Sequence, residues 1–301
     1  MAEQKAPAKG NAGDNIEQFG YKQELRRGMG LWDVVMYGVL FMVIIAPQSI
    51  FGSIQLNSHG MTPLVYIIGF VAIMFTAMSY MRMSKKFPIA GSVYSYVQRG
   101  INPHVGFIAG WLILLDYILV PSLLIVMVVN WGVALIPNSP AWLWAVVFIA
   151  FNTFVNIRGI ELTVIVDRVA VVLEILCLGV FVVMGALWIA TDPLSNGFTI
   201  QPFYNPETFN PGLVMSAVSL GVLSFLGFDG IATLSEEAKD AKKGPSKAMV
   251  GSLLIVGFLF MLQTYIAGCI SPDGAVFAND PDNAFQQNAD AALGGGDGVI
   301  H

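Results

Sequence analysis

Two hydrophobic stretches of this 301-residue chain are interrupted by residues that disturb a helix. The first, at residues 46–53, reads Ala-Pro-Gln-Ser-Ile-Phe-Gly-Ser, and the second, at residues 224–230, reads Ser-Phe-Leu-Gly-Phe-Asp-Gly. An unwound helix in lipid leaves backbone N–H and C=O groups unpaired, which is tolerated only where they line a cavity or meet a ligand. Paired interruptions in separate parts of one chain therefore point to the binding site of a secondary transporter.

The first interruption combines a helix breaker with polar side chains. Pro47 lacks an N–H and disrupts the hydrogen-bond ladder of a helix, while Gln48 and Ser49 can hydrogen-bond to backbone or ligand. Phe51 and Gly52 follow in the same stretch. A simple proline kink, whose freed groups are satisfied by neighbouring helices, is the alternative. The presence of a second interruption favours a substrate site that includes these five residues.

The second interruption places glycine among aromatic residues and a carboxylate. Gly227 permits positive φ and close approach of a ligand. Phe225 and Phe228 could cover a substrate or hold a cation against a ring face, although aromatic side chains in apolar helices are commonly core. Asp229 could bind an amine or could instead cap the following helical segment. We include all four residues as substrate-binding candidates and leave these alternatives open.

Two acidic residues lie deep in predicted membrane helices. Asp116 is 11 residues beyond Val105, and Glu174 is ten residues beyond Val164. At 1.5 Å per residue these are depths of about 16 and about 15 Å, near the middle of a bilayer. A carboxylate at such a depth is costly and indicates function by default. The alternatives are a structural hydrogen bond of Asp116 to another helix, and a structural pair of Glu174 with Arg168 or another helix.

The composition is that of an integral membrane protein. Hydrophobic residues make up 55% of the chain and charged residues 12%, whereas soluble domains carry about 25% charge. Long apolar runs, rather than alternating patterns, predict helices and not a barrel. Seven spans are predicted, at residues 31–55, 64–83, 105–136, 141–157, 164–190, 213–234 and 248–270.

The positive charges give these spans an orientation. All 15 Lys and Arg residues lie before span one, from the end of span two to the start of span three, around the turn between spans four and five, or after span six. The positive-inside rule therefore predicts a cytoplasmic N-terminus. Residues 1–30 lack the apolar core of a signal peptide, and we expect them to form a disordered cytoplasmic tail.

Other classes of function find little support in the sequence. We find no metal-ligand cluster, nucleophile–base pair or phosphate-binding loop that would indicate an enzyme. The Lys-rich residues 239–243 lie beside a predicted span, so they are typical of a positive-inside loop rather than of a nucleic-acid site.

Several motifs in combination resemble the amino acid–polyamine–organocation permeases. The motifs are FPIAGSVYSY at 87–96, INPHVGF at 101–107, GW at 110–111, SFLGFD at 224–229 and SEE at 235–237, followed by Lys243, Pro245 and Ala248. Leu115-Asp116-Tyr117 and Ala46-Pro47 are most similar to the putrescine-importer branch. The resemblance covers residue 31 to about residue 285.

The resemblance implies an all-α polytopic membrane protein with the 5+5 inverted-repeat, LeuT-like fold, in which helices one and six are broken. The first repeat would occupy residues 31–190, followed by an extracellular loop at 191–212 and the start of the second repeat at 213–270. Residues 271–301 would form an extracellular segment. With seven transmembrane helices, we expect the chain to be the N-terminal part of a permease; an independent seven-helix protein is the alternative.

The resemblance also implies roles for individual residues. In this fold the third helix lines the central site, which adds Asp116 and Tyr117 to the substrate-binding candidates. A titratable side chain on the fifth helix replaces the sodium ion of sodium-coupled relatives, which implies proton coupling by Glu174. Amino acid permeases of the family carry a glycine-rich stretch that holds a carboxylate where this chain has Pro47-Gln48-Ser49. That departure disfavours an ordinary α-amino acid and leaves room for an amine.

We therefore expect a secondary permease of the plasma (inner) membrane that imports an amino acid or a polyamine such as putrescine. We expect proton-coupled symport without a cofactor, while a sodium gradient as energy source and antiport stay open. Its expected partners are the small-molecule substrate and the lipid bilayer, without nucleic acid, and the oligomeric state stays open. The alternatives are a non-transporting membrane sensor or subunit of the same fold, and a fragment inactive in transport.

Overall fold

The computed structural model describes residues 28–158, 160–193, 195–240 and 243–293. Most of the predicted N-terminal tail and the last eight residues lie outside this range. Ten α-helices occur in it: α1 Leu31–Phe41, α2 Ala46–Asn57, α3 Thr62–Lys86, α4 Ser92–Gly100, α5 Pro103–Leu135, α6 Ala141–Ile157, α7 Ile160–Thr191, α8 Pro211–Gly221, α9 Gly244–Ile270 and α10 Ala284–Ala292.

Within the described residues, four 3₁₀ helices supplement these α-helices. Val222–Phe225 and Phe228–Glu236 continue the chain after α8, and Gly274–Phe277 and Pro281–Asn283 lie between α9 and α10. The described residues contain no β-strand, and their extended pairing is limited to an isolated parallel bridge between Met29 and Ala238. The prediction of an all-α protein is confirmed.

The part of the chain that the structure describes contains five helical stretches long and apolar enough to cross a membrane, at Thr62–Lys86, Pro103–Leu135, Ile165–Thr191, Pro211–Glu236 and Gly244–Ile270. The pair α1 and α2, bent by 46° at a short break, adds a sixth if it is counted as one span. The remaining predicted span coincides with α6, an apolar helix of 17 residues.

The chain divides into two compact units. Of the described residues, unit one contains those up to Gly38 together with Thr76–Ile113 and Gly227–Ser252. Unit two contains Val39–Phe75, Leu114–Leu226 and the described residues from Leu253 onward. In unit one, α4 contacts the 3₁₀ helix Phe228–Glu236.

Unit two is built around α2, which contacts α8, α10 and both 3₁₀ helices that precede α10. An aromatic core joins Tyr66 of α3 to Phe225 and to Phe260 of α9, with ring centroids 5.7–6.0 Å from Tyr66. Buried amides add specific links: Gln55 donates to the carbonyl of Ser271 at 2.7 Å and accepts from Thr62 at 2.6 Å. Because these polar groups are buried, each must be satisfied within the protein.

Candidate functional site

The first break lies at Met42–Ile45, between α1 and α2. Val43 has φ +49° there, a conformation that a β-branched residue adopts only under strain. Such strain is found disproportionately at functional sites. Amides on both sides of the break make short-range bonds, from Val43 to the carbonyl of Leu40 at 3.2 Å and from Ala46 to that of Val43 at 2.9 Å.

Side chains from two other helices satisfy the backbone of Ile44, a buried residue within this break. Glu174 of α7 accepts the Ile44 N–H through Oε2 at 3.2 Å. Gln263 of α9 donates from Nε2 to the Ile44 carbonyl at 2.9 Å. Both groups that the helix leaves unpaired at this residue are thus bonded to polar side chains. A carboxyl group and an amide therefore meet at one residue of the broken span.

The break begins earlier than the sequence predicts. We expected unwinding across residues 46–53, but these residues form most of α2, with Pro47 in its first turn. Proline is tolerated at that position because the first N–H groups of a helix have no intrahelical partner. Gln48 is half-buried and donates from Nε2 to Oε1 of Gln263 at 3.3 Å. Ser49 donates to the carbonyl of Ala46 at 2.8 Å.

The other two candidates on α2 pack against the segment that precedes and includes α10. Phe51 is fully buried and makes edge-to-face contacts with Phe277 and Phe285, at centroid distances of 6.0 and 5.9 Å. Gly52 lies so close to Pro281 and Ala284 that a side chain would not fit between them. In this structure both residues therefore join α2 to the 274–292 segment.

The second break lies at Leu226 and Gly227, between the 3₁₀ helices Val222–Phe225 and Phe228–Glu236. Gly227 has φ +102°, a conformation that glycine adopts without steric cost. Phe225 is fully buried against Tyr66, Phe70 and Phe260. The break thus occurs within the predicted stretch, and Phe225 takes the core position that was the alternative to substrate contact.

Phe228 and Asp229 belong to unit one and lie beside α4. The ring of Phe228 packs on Tyr80, which in turn packs on Tyr96, with centroid distances of 5.5 and 5.8 Å. Ser92 donates to Oδ2 of Asp229 at 3.4 Å. The 3₁₀ helix begins without a side-chain cap at Gly227, and Asp229 lies in its first turn. Burial raises the pKa of the Tyr96 phenol to about 12, so this hydroxyl stays neutral at physiological pH.

Asp116 and Tyr117 lie on α5. Asp116 is half-buried and Tyr117 is exposed. An 18-residue apolar window of this helix contains no buried residue. Their role in substrate binding stays a prediction.

Gln263 is the main site residue that sequence reasoning missed. It lies in the middle of an apolar run, Leu-Phe-Met-Leu-Gln-Thr-Tyr-Ile, which we interpreted only as a membrane span. A polar side chain inside such a run is costly unless it is paired, and this is the signal that could have identified it. Ser92 was also missed as a partner of Asp229, because it is distant in sequence.

Comparison with known proteins gives a consistent result. The chain matches the profile of the family described as amino acid permease over residues 35–296. It is 34% identical over 269 residues to the low-affinity putrescine importer PlaP of Escherichia coli (strain K12), which covers 89% of this chain and 59% of the importer.

Two more distant relatives come from Bacillus subtilis (strain 168). The branched-chain amino acid permease BcaP is 25% identical over 286 residues, and the methylthioribose transporter is 24% identical over 278 residues. Each match covers 86% of this chain and 58% of the relative. The chain thus spans a little under three fifths of the length of these curated relatives. The profile match over most of its residues shows that the chain belongs to the amino acid permease family.

Proposed function

We propose that this chain belongs to a secondary active transporter that imports a small organic amine, such as putrescine, or an amino acid across the plasma membrane. Three observations support the proposal: the permease family, the break in the first span, and the similarity to a protein named as a putrescine importer. The positive charges favour a cytoplasmic N-terminus. The repeats are proposed at residues 31–190 and from residue 213 onward.

An amine suits the first break better than a carboxylate does. Pro47 has no N–H to offer, and the hydroxyl hydrogen of Ser49 is donated to the carbonyl of Ala46. A substrate carboxylate needs several donors at a helix N-terminus. By contrast, an ammonium group needs acceptors, which Gln48 and Ser49 can supply. Asp116 and Asp229 are each proposed as further acceptors for an amine.

The contact between Glu174 and Ile44 carries the proposal of proton coupling. An ionised carboxylate is a strong acceptor for the Ile44 N–H at 3.2 Å, and protonation weakens that acceptor. Protonation of Glu174 would therefore weaken the hydrogen bond that joins α7 to the first break. A strained break held by a titratable side chain is an element whose conformational equilibrium a proton gradient can bias.

Uptake of labelled putrescine tests this function. Cells expressing the protein from its complete gene should accumulate putrescine above a vector control, and an uncoupler should abolish the accumulation. Unlabelled amino acids added in excess measure how far the site accepts a carboxylate. Accumulation that persists after collapse of the proton gradient would contradict proton coupling, and binding of putrescine without flux would favour a sensor instead.

A further inference from the structure

We propose that Gln263 sets the substrate preference of this permease by orienting the amide of Gln48, so that its carbonyl oxygen is offered to an organic ammonium group. Gln263 is then a positioning residue, and Gln48 is the residue that meets the substrate. The inference rests on the proposed function and adds the pair of side chains by which the site distinguishes an amine from an amino acid.

The orientation of the Gln263 amide follows from its neighbours. The side chain is fully buried, and one end of its amide faces two main-chain carbonyls, that of Ile44 at 2.9 Å and that of Leu259 at 3.3 Å. Two carbonyl oxygens repel a third, so the group that faces them must be the NH₂. The oxygen of Gln263 must therefore point away from both carbonyls.

The orientation of Gln48 is fixed in turn. Its amide lies 3.3 Å from Oε1 of Gln263, and only the NH₂ of Gln48 can face that oxygen favourably. The carbonyl oxygen of Gln48 is left over, on a side chain that is only half-buried. Within the described part of the chain, this oxygen accepts no hydrogen bond, so it is available to a ligand.

The result is a set of acceptors at the start of α2. Gln48 follows Pro47, which has no N–H, and precedes Ser49, whose hydroxyl already donates to the carbonyl of Ala46, so this turn of α2 offers few donors. An ammonium group can accept no hydrogen bond and is suited by the Gln48 oxygen, whereas of the Gln48 side chain a carboxylate can use the second amide hydrogen. The preference is thus a matter of degree, and the concentrations at which the two kinds of compound inhibit uptake measure it.

The test measures two inhibitory concentrations for each variant: that of a neutral amino acid, and that of unlabelled putrescine, at which uptake of labelled putrescine falls by half. The first divided by the second is the selectivity ratio, and a high ratio means a preference for putrescine. Gln48→Met removes the acceptor and should lower this ratio about tenfold, the worth of a hydrogen bond to a charged group. Gln263→Met frees the Gln48 amide to turn and should lower the ratio by about threefold to tenfold. Gln55→Met removes a buried glutamine of the same unit away from the break, and should leave the ratio unchanged.

A rescue separates orientation from general damage. Glutamate at position 48 has only acceptor oxygens when ionised, so it needs no orienting partner. Gln48→Glu combined with Gln263→Met should therefore restore the preference for putrescine that Gln263→Met alone loses.

The inference is overturned if Gln263→Met changes the ratio no more than Gln55→Met, or if Gln48→Glu does not restore it. If Gln263→Met is not produced in the membrane, Gln48→Met carries the same prediction at a half-buried position, and an unchanged ratio there also overturns it. A wild-type protein that takes up neither compound contradicts the proposed function itself, and the inference falls with it.

Discussion

Replacing Gly52 by alanine should destabilise unit two, because α2 has no space for a methyl group at this position. A Cβ there would lie 2.5 Å from Cβ of Ala284 and 2.9 Å from the carbonyl carbon of Pro281, and closer still to the carbonyl oxygen of Pro281. Ordinary contact begins at 3.4 Å, so α10 or the chain before it must retreat by about 0.9 Å or more. Backbone atoms cannot yield by rotating a side chain.

The loss of stability in Gly52→Ala can be estimated from substitutions that overpack protein cores. Inserting a methyl group into a well-packed site costs about 1–3 kcal/mol. Alanine in a helix gains up to about 1 kcal/mol over glycine, which offsets part of this cost. Because the overlap is with backbone atoms, the upper end of this range applies, and we expect Gly52→Ala to lower the free energy of unfolding by about 2 kcal/mol, together with looser packing of Phe51 on Phe277 and Phe285.

Thermal unfolding of the protein purified in detergent measures the effect. Gly179 on α7 is the matched control, because a Cβ there meets nothing within 4 Å. Gly179→Ala should leave the Tm unchanged or raise it, whereas Gly52→Ala should lower it. Equal Tm values for the two variants would refute the close packing of α2 against the 281–284 segment.

Three further substitutions test other contacts by the same unfolding measurement. Tyr66→Phe removes the hydrogen-bond partner of the buried Ser224 hydroxyl, which lies 2.8 Å from the phenol oxygen, and should lower the free energy of unfolding by about 1–3 kcal/mol. The double variant with Ser224→Ala should recover most of this loss. A Tyr66→Phe variant as stable as wild type would contradict the bond. Gly227→Ala forces alanine to φ +102° and should lower the free energy of unfolding by about 1–3 kcal/mol, and with it the Tm. The control is Gly251→Ala, whose Cβ would make an ordinary contact with Val35, and it should not lower the Tm. Asn130→Ala removes an exposed hydrogen bond to Asp282 and should lower the free energy of unfolding by no more than about 1 kcal/mol. A larger decrease would contradict this estimate and show that α5 depends on the contact.

The membrane helices could be predicted from sequence because apolar runs of sufficient length have few other structures available. The predicted span 141–157 has the same bounds as α6, and the predicted span 105–136 differs from α5 by one or two residues. The short helices were not foreseen. The α4 sequence Ser-Val-Tyr-Ser-Tyr-Val-Gln-Arg-Gly mixes apolar and polar residues and is only nine residues long. It therefore lacks the long apolar run from which the membrane helices were predicted.

The details of the site depend on contacts between residues far apart in the chain. Pro47 correctly indicates a break, but proline also suits the first turn of a helix, and only the structure shows that α2 begins there. Proton coupling by Glu174 was predicted from its depth and from the family resemblance, yet its partner Ile44 is 130 residues away and could not be predicted. Phe51, Gly52 and Phe225 have residue types that suit a binding site equally well, and their packing follows from segments that local patterns do not pair.

The link between Glu174 and the first break is best measured as gradient-driven accumulation of putrescine in vesicles, for wild type and Glu174→Gln. Glutamine keeps an oxygen for the Ile44 N–H but cannot carry a proton, so this variant should exchange putrescine without accumulating it when a pH gradient is imposed. Asp167→Asn, on the same helix, should accumulate putrescine as wild type does. If Glu174→Gln accumulates putrescine to the wild-type level with the same dependence on the gradient, then Glu174 does not couple protons to transport.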